Sequence, residues 1–175
     1  MKIQIIGYSG SGKSTLAVAL GKICGAPVLH LDNTKFYGEW QEYSTEEQNA
    51  QVEAFLAANE SWVIDGNYTK IATQRFDQTD MTIFMDFGRL FCYLSAWRRY
   101  RKYRGRKRES CPCNEKFDKA FRRWLWRDGR TAQRHQAHMT NLGRTKGEQV
   151  ILKNRRQANR FLAEFEKKYR EKASL

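Results

Sequence analysis

The feature that most constrains this chain is the string Gly7-Tyr8-Ser9-Gly10-Ser11-Gly12-Lys13-Ser14-Thr15, set between an apolar run and a helical repeat. Ile3, Ile5 and Ile6 read as a short strand, while Leu16, Leu20 and Ile23 recur at helical spacing. Gly7 to Ser14 satisfies G-x-x-x-x-G-K-[ST] in the strand, loop, helix context that gives this motif its meaning. The glycines let successive backbone N–H groups curl around phosphates, and the helix N-terminus adds positive potential. Lys13 is placed to reach the terminal phosphates and the Ser14 hydroxyl to ligate magnesium. The expected triphosphate contacts are therefore Gly7, Ser9, Gly10, Ser11, Gly12, Lys13, Ser14 and Thr15, with ATP and Mg2+ as cofactors.

The remaining segments repeat the strand and helix alternation. Val28 to Leu31 is a second apolar run ending in Asp32, Trp62 to Ile64 a third ending in Asp65, Met81 to Met85 a fourth closed by Asp86, and Gln149 to Leu152 a fifth. Ser44 with Glu47 matches a capping box ahead of Val52, Phe55 and Leu56, and Asn154 with Gln157 caps a final helix carrying Phe161, Leu162 and Phe165. A helix is expected from near Arg89, and another from Phe117 through Phe121 and Trp124. Beside the latter stripe, Arg123, Arg127, Arg130 and Arg134 share one helical face by spacing. Strands that are apolar throughout imply a parallel sheet covered on both sides. The expectation is a three-layer α/β P-loop kinase fold with a five-stranded parallel sheet in the order 2-3-1-4-5. One domain spans 1–175, with a basic helical lid at about 98–128.

The net charge of +13 is concentrated: Arg98 to Arg134 holds 15 Lys or Arg against 4 Asp or Glu. Such a segment suits phosphates, on a nucleotide or on nucleic acid. No apolar stretch approaches the roughly 20 residues needed to cross a bilayer, and no signal segment opens the chain, so it reads as soluble. Cys24, Cys92, Cys111 and Cys113 lack a disulfide spacing, which points to a reducing cytoplasm. Cys111, Cys113, His135 and His138 form a nominal zinc set, but one residue between the cysteines is shorter than the usual two to four.

Carboxylates end three of the strands. Asp65 is the preferred partner of Ser14 in supporting magnesium, with Asp86 as the alternative. Asp32 is placed to orient or deprotonate an acceptor hydroxyl, and Tyr37 lies in the aromatic stretch that follows it. On the P-loop, His30-Leu31-Asp32, Trp62-Val63-Ile64-Asp65-Gly66-Asn67-Tyr68 with Arg75 beyond, Asp86 with Arg89, the basic stretch through Arg108, Cys111-Pro112, and Phe121 to Trp126, the chain resembles the DNA topology modulation proteins, a family of adenylate-kinase-like P-loop proteins. The resemblance covers nearly the whole chain. It implies lid arginines at the phosphates, here Arg99 and Arg127, and acceptor contacts from Asp32, Tyr37, Asn67 and Arg75. Two departures stand out. Nucleoside monophosphate kinases usually read Asp-Gly-Phe-Pro-Arg where this chain has Asp65-Gly66-Asn67-Tyr68, and Ser95 stands where relatives carry an arginine, leaving that contact to Arg98 or Arg99. The expected activity is transfer of the γ-phosphoryl group of ATP to a small-molecule or nucleotide acceptor. The alternative is nucleic-acid binding switched by ATP.

Overall fold

The computed structural model describes residues 1–68 and 70–173. Strand β1 (Lys2–Gly7) lies at the centre of a five-stranded sheet, flanked by β5 (Trp62–Asp65) and β6 (Met81–Met85). Outside them lie β2 (Val28–His30) and β7 (Glu148–Leu152). All four pairings are parallel, giving β2-β5-β1-β6-β7, which is the expected 2-3-1-4-5 once a separate hairpin, β3 (Phe36–Gly38) with β4 (Gln41–Glu42), is left out of the count. The pattern follows from composition: Ile3, Ile5, Ile6, Ile64, Ile83 and Phe84 are fully buried, as the strands of a sheet covered on both faces must be.

Alternate residues of β5 enter different apolar clusters. Val63 packs with Leu16, Leu20 and Phe165, whereas Trp62 and Ile64 pack with Leu31 and Val52. Helices α1 (Lys13–Cys24) and α7 (Arg155–Ala173) belong to the first cluster, where Tyr169 donates to the Cys24 carbonyl at 3.2 Å. Helix α3 (Thr45–Ala58) belongs to the second and starts on the anticipated capping box, Ser44 and Glu47 bonding reciprocally. No described helix is long and apolar enough to cross a membrane.

Three elements differ from expectation. Asp32 falls in the first turn of a short helix, α2 (Leu31–Lys35), and not at the end of a strand. The hairpin turns at Glu39 and Trp40 with φ of 41° and 64°, so its turn lacks the glycine or asparagine that would announce it. The helix α4 (Arg89–Tyr103) forms as anticipated, but the next, α5 (Lys119–Trp126), begins two residues late and ends early. A 3-10 turn over Asp128–Arg130 then leads into a separate helix, α6 (Ala132–Gly143).

Helix α6 brings His138 under the sheet end, against the rings of Phe84 at 5.0 Å and Tyr8 at 5.5 Å. It is 6% exposed, and its Nδ1 has no hydrogen-bond partner among the described residues. Burial, reinforced by the Lys13 charge, lowers its pKa from 6.5 to about 4. The unfolded chain therefore binds this proton at a higher pH than the folded chain does. The neutral ring contributes stability above pH 6.5 that is lost as the pH falls towards 4. Urea unfolding should show about 2 to 3 kcal/mol less stability at pH near 4.5 than at pH near 7 from this residue. His138→Phe, which keeps a ring between Tyr8 and Phe84, is expected to flatten that slope; an unchanged slope would exclude His138 as its source.

Candidate active site

The loop after β1 needs its glycines. Gly7, Gly10 and Gly12 have φ of 144°, 81° and 96°. A Cβ on Gly10 would stand 2.3 Å from the Cys92 carbonyl oxygen, so helix α4 packs directly on the loop backbone. Helix α1 opens at Gly12 without a side-chain cap, which leaves its first amides available to an anion. The buried Ser11 hydroxyl has no partner among the described residues, and Lys13 Nζ folds back onto the Tyr8 carbonyl at 3.1 Å. Burial lowers the Lys13 pKa, opposed by the charges of Asp65 and Asp32. An uncapped helix start, an orphaned hydroxyl and a desolvated ammonium together fit a polyphosphate.

Beside the loop stands Asp65, at the end of β5. Its Oδ2 accepts from the Ser14 hydroxyl at 2.9 Å, and its Oδ1 meets His30 Nδ1. His30 and Asp65 are register partners on β2 and β5, which explains the pairing. Two hard oxygens side by side suit a magnesium ion. Asp86, by contrast, lies between the ends of β6 and α4, its N–H donating to the Leu152 carbonyl at 2.8 Å.

A second group of polar contacts is built around Asp32. Tyr68 donates its hydroxyl to Asp32 Oδ1 at 2.5 Å, and burial together with the Asp32 charge raises the Tyr68 pKa, keeping it a donor. Arg99 lies within electrostatic range of both Asp32 and Lys13. Its Nε donates to Glu115 at 3.1 Å, and Arg108 joins the same carboxylate. The segment carrying Arg108 and Glu115 docks on α2 and the hairpin: Asn33 of α2 donates to the Glu109 carbonyl at 2.8 Å and Trp40 Nε1 of the hairpin turn to the Asn114 carbonyl at 3.1 Å. Cys113 accepts from the Trp40 N–H.

Neither a family model nor a curated protein matches the chain. Solved structures do match. Shikimate kinase from Bacteroides thetaiotaomicron superposes with a TM-score of 0.55 at 14% identity, over 95% of this chain and 97% of that one. Shikimate kinase from Acinetobacter baumannii, in complex with shikimate, gives 0.58 at 13% identity, over 94% and 89%. A deoxyadenosine kinase from M. mycoides gives 0.52 at 14% identity, over 94% and 98%. The chain has the P-loop kinase fold. At such identities the agreement concerns architecture, and within it the individual residues are assigned from their own contacts.

Several residues stand elsewhere than the sequence suggested. Arg75 is fully buried, donating to Gln4 Oε1, to the Ile71 and Ala72 carbonyls and to the Tyr68 carbonyl, so it braces the core and does not face an acceptor. Asn67 grips the loop itself, accepting from the Gly7 N–H at 2.8 Å and donating to the Gly7 carbonyl at 2.6 Å. Tyr37 stands 53% exposed on the hairpin against Tyr43, and Tyr68 occupies the place beside Asp32. The break after Trp126 destroys the single arginine stripe. Arg127 is exposed at the α5 terminus, while Arg130 lies 4.0 Å over the Tyr8 ring, its Nη1 on the Phe87 carbonyl. Thr15 is exposed on the outer side of α1's first turn. The nominal zinc ligands are not brought together, and the described residues hold no group of three metal-ligating side chains.

Some residues at the site, Tyr68, Glu115, His30 and Arg155 among them, were given no role by the sequence. His30 carries no motif of its own beyond a strand end, and Arg155, whose guanidinium lies 2.9 Å from where a Gly12 Cβ would sit, is one of many basic residues. Arg75→Ala strands one amide oxygen and three carbonyls, so urea unfolding should show a loss of about 3 kcal/mol or more. A loss below about 1 kcal/mol would return Arg75 to the candidate substrate residues.

Proposed function

We propose that the protein is a cytoplasmic ATP-dependent phosphotransferase of the small-molecule or nucleotide kinase type. One observation carries this reading: at the glycine loop, where α1 starts without a side-chain cap, Lys13 Nζ lies 3.1 Å from the Tyr8 carbonyl and the Ser14 hydroxyl bonds Asp65 at 2.9 Å, which sets an ammonium and a hydroxyl–carboxylate pair on one loop. The amides from Gly10 to Ser14 and the Lys13 ammonium hold the β- and γ-phosphates. Ser14 with Asp65 would hold magnesium, which when bound neutralises charge shared between those phosphates. Asp32, oriented by Tyr68, accepts the proton of the acceptor hydroxyl as its oxygen bonds to the γ-phosphorus and the bridge to the β-phosphate breaks. Arg99, from the basic segment at about 98–128, stabilises the transferring group, and closure of that segment excludes water. Arg130 takes the part expected of Arg127.

A second reading, nucleic-acid binding switched by ATP, draws on Trp124 and Trp126, 36% and 45% exposed among exposed arginines. A protein contacting 6–10 DNA phosphates loses roughly 10³ to 10⁵ in affinity between 50 and 200 mM salt. Under the kinase reading, DNA binding is weak at physiological salt and is competed away by ATP with magnesium.

By calorimetry, Lys13→Ala should lose ATP affinity with its circular dichroism unchanged; affinity equal to the parent's would refute the P-loop assignment. Asp32→Asn should retain ATP binding and lower turnover by roughly 10² to 10⁴. Trypsin should cut the arginine-rich segment more slowly when a non-hydrolysable ATP analogue is present, and equal rates would remove the lid from the mechanism.

A further inference from the structure

We infer that the acceptor is an uncharged hydroxyl compound, an alcohol, neutral sugar or nucleoside, and neither a phosphomonoester nor a carboxylate. The inference rests on the phosphotransferase reading and adds the substrate class.

An anionic acceptor needs cations that are not already committed, since recognition of phosphate or carboxylate in a buried site runs through charge-assisted hydrogen bonds. Among the described residues of the acceptor half, the cations are committed. Lys35 Nζ is 3.0 Å from Glu42, Arg99 is held at Nε by Glu115 at 3.1 Å with its other donors left to the transferring group, and Arg108 pairs with that same carboxylate and also bonds Ser110 at 2.7 Å. With Asp32 included, each of these three cations is matched by a carboxylate before any acceptor enters.

Glu115 makes the balance hard to shift. Its side chain is 4% exposed, so an incoming anion that drew either guanidinium away would leave a buried carboxylate short of its partner. Arg75, which the sequence offered as the phosphate grip, has its donors in the core. Lys116, over the outer face of Trp40, is exposed to solvent. Asp32 itself repels an anion at close range but accepts a hydroxyl proton well.

The surrounding surfaces suit an uncharged body. The Tyr68 ring lies under the Lys35 ammonium at 5.3 Å, and Phe36 meets Trp40 edge to face at 5.2 Å. Cys111, buried and held as a thiol because burial raises its pKa to about 11, adds no charge. Aromatic faces bind by dispersion and stacking, without needing a ligand charge.

The test uses the full chain with ATP and magnesium, measuring phosphoryl transfer to matched pairs: adenosine and AMP, thymidine and dTMP, glucose and gluconate, glycerol and glycerate. The expected result is a kcat/KM at least about tenfold higher for the neutral member wherever transfer is detected. Preference for an anionic member in any pair overturns the inference while leaving the kinase reading in place. Transfer to no acceptor by a protein that binds ATP overturns both. Glu115→Gln, checked for folding by circular dichroism, frees charge on Arg99 and Arg108. It should narrow the preference within each productive pair, and an undiminished preference would refute the role given to the Glu115 pairing.

Discussion

The reversal of the chain at Gly7 is held from two sides. Met85 packs where a side chain would begin, its carbonyl 2.6 Å from an ideal Cβ, and the Asn67 amide bonds both the N–H and the carbonyl of Gly7. A glycine at φ 144° costs more conformational entropy than any other residue to fix, so the clamp is what makes the loop a rigid cradle. The cradle then positions the rest of the site. Gly10 sets the approach of α4 through Cys92, and α4 carries Arg99 to the mouth of the loop.

The clamp also explains why the third parallel strand ends as it does. In Asp65-Gly66-Asn67-Tyr68, each side chain reaches a different part of the site: Asp65 to Ser14, Asn67 to Gly7, Tyr68 to Asp32. Gly66 has φ 140° and an ideal Cβ there would meet the Leu31 Cβ at 2.7 Å, so the string turns where only glycine fits. Arg75 donates to the Tyr68 carbonyl from inside the protein, fixing the end of the string. Where Asp-Gly-Phe-Pro-Arg has its proline, this chain has Tyr68, which bonds Asp32, and the next arginine described, Arg75, is held in the core.

The sheet order and the helices α1, α3 and α7 were legible because each rests on local periodicity and caps that tertiary contacts reinforce. Ser44 with Glu47, and Asn154 with Gln157, form the expected hydrogen bonds. The P-loop and the pairing of Ser14 with Asp65 were legible because they follow from which strands are neighbours. The basic segment was not, because arginine is compatible with a helix face, a turn and a buried brace alike. Spacing alone placed Arg123 to Arg134 on one helix, and the break at Asp128–Arg130 is set by Gly129, whose Cβ would meet Trp124 Nε1 at 2.9 Å. Arg75 was misread for the same reason: a lone arginine after a strand can serve a ligand or four protein acceptors, and only the fold decides which.

The two halves of the site differ in how firmly they are built. The nucleotide half is formed by strand ends and a clamped loop, with backbone register fixing Asp65 against Ser14 and His30. The half around Asp32 is covered by the segment around Glu109 to Glu115, which meets Asn33 of α2 and Trp40 of the hairpin turn, Cys113 accepting from the Trp40 N–H. Those contacts are hydrogen bonds at exposed or part-buried positions, which exchange for water more readily than the packing of β1 and β5, whose side chains other than Lys2 are buried. Under the phosphotransferase reading, that division sets the stronger interactions under the nucleotide and the weaker ones at the entrance, where a segment must part and close again.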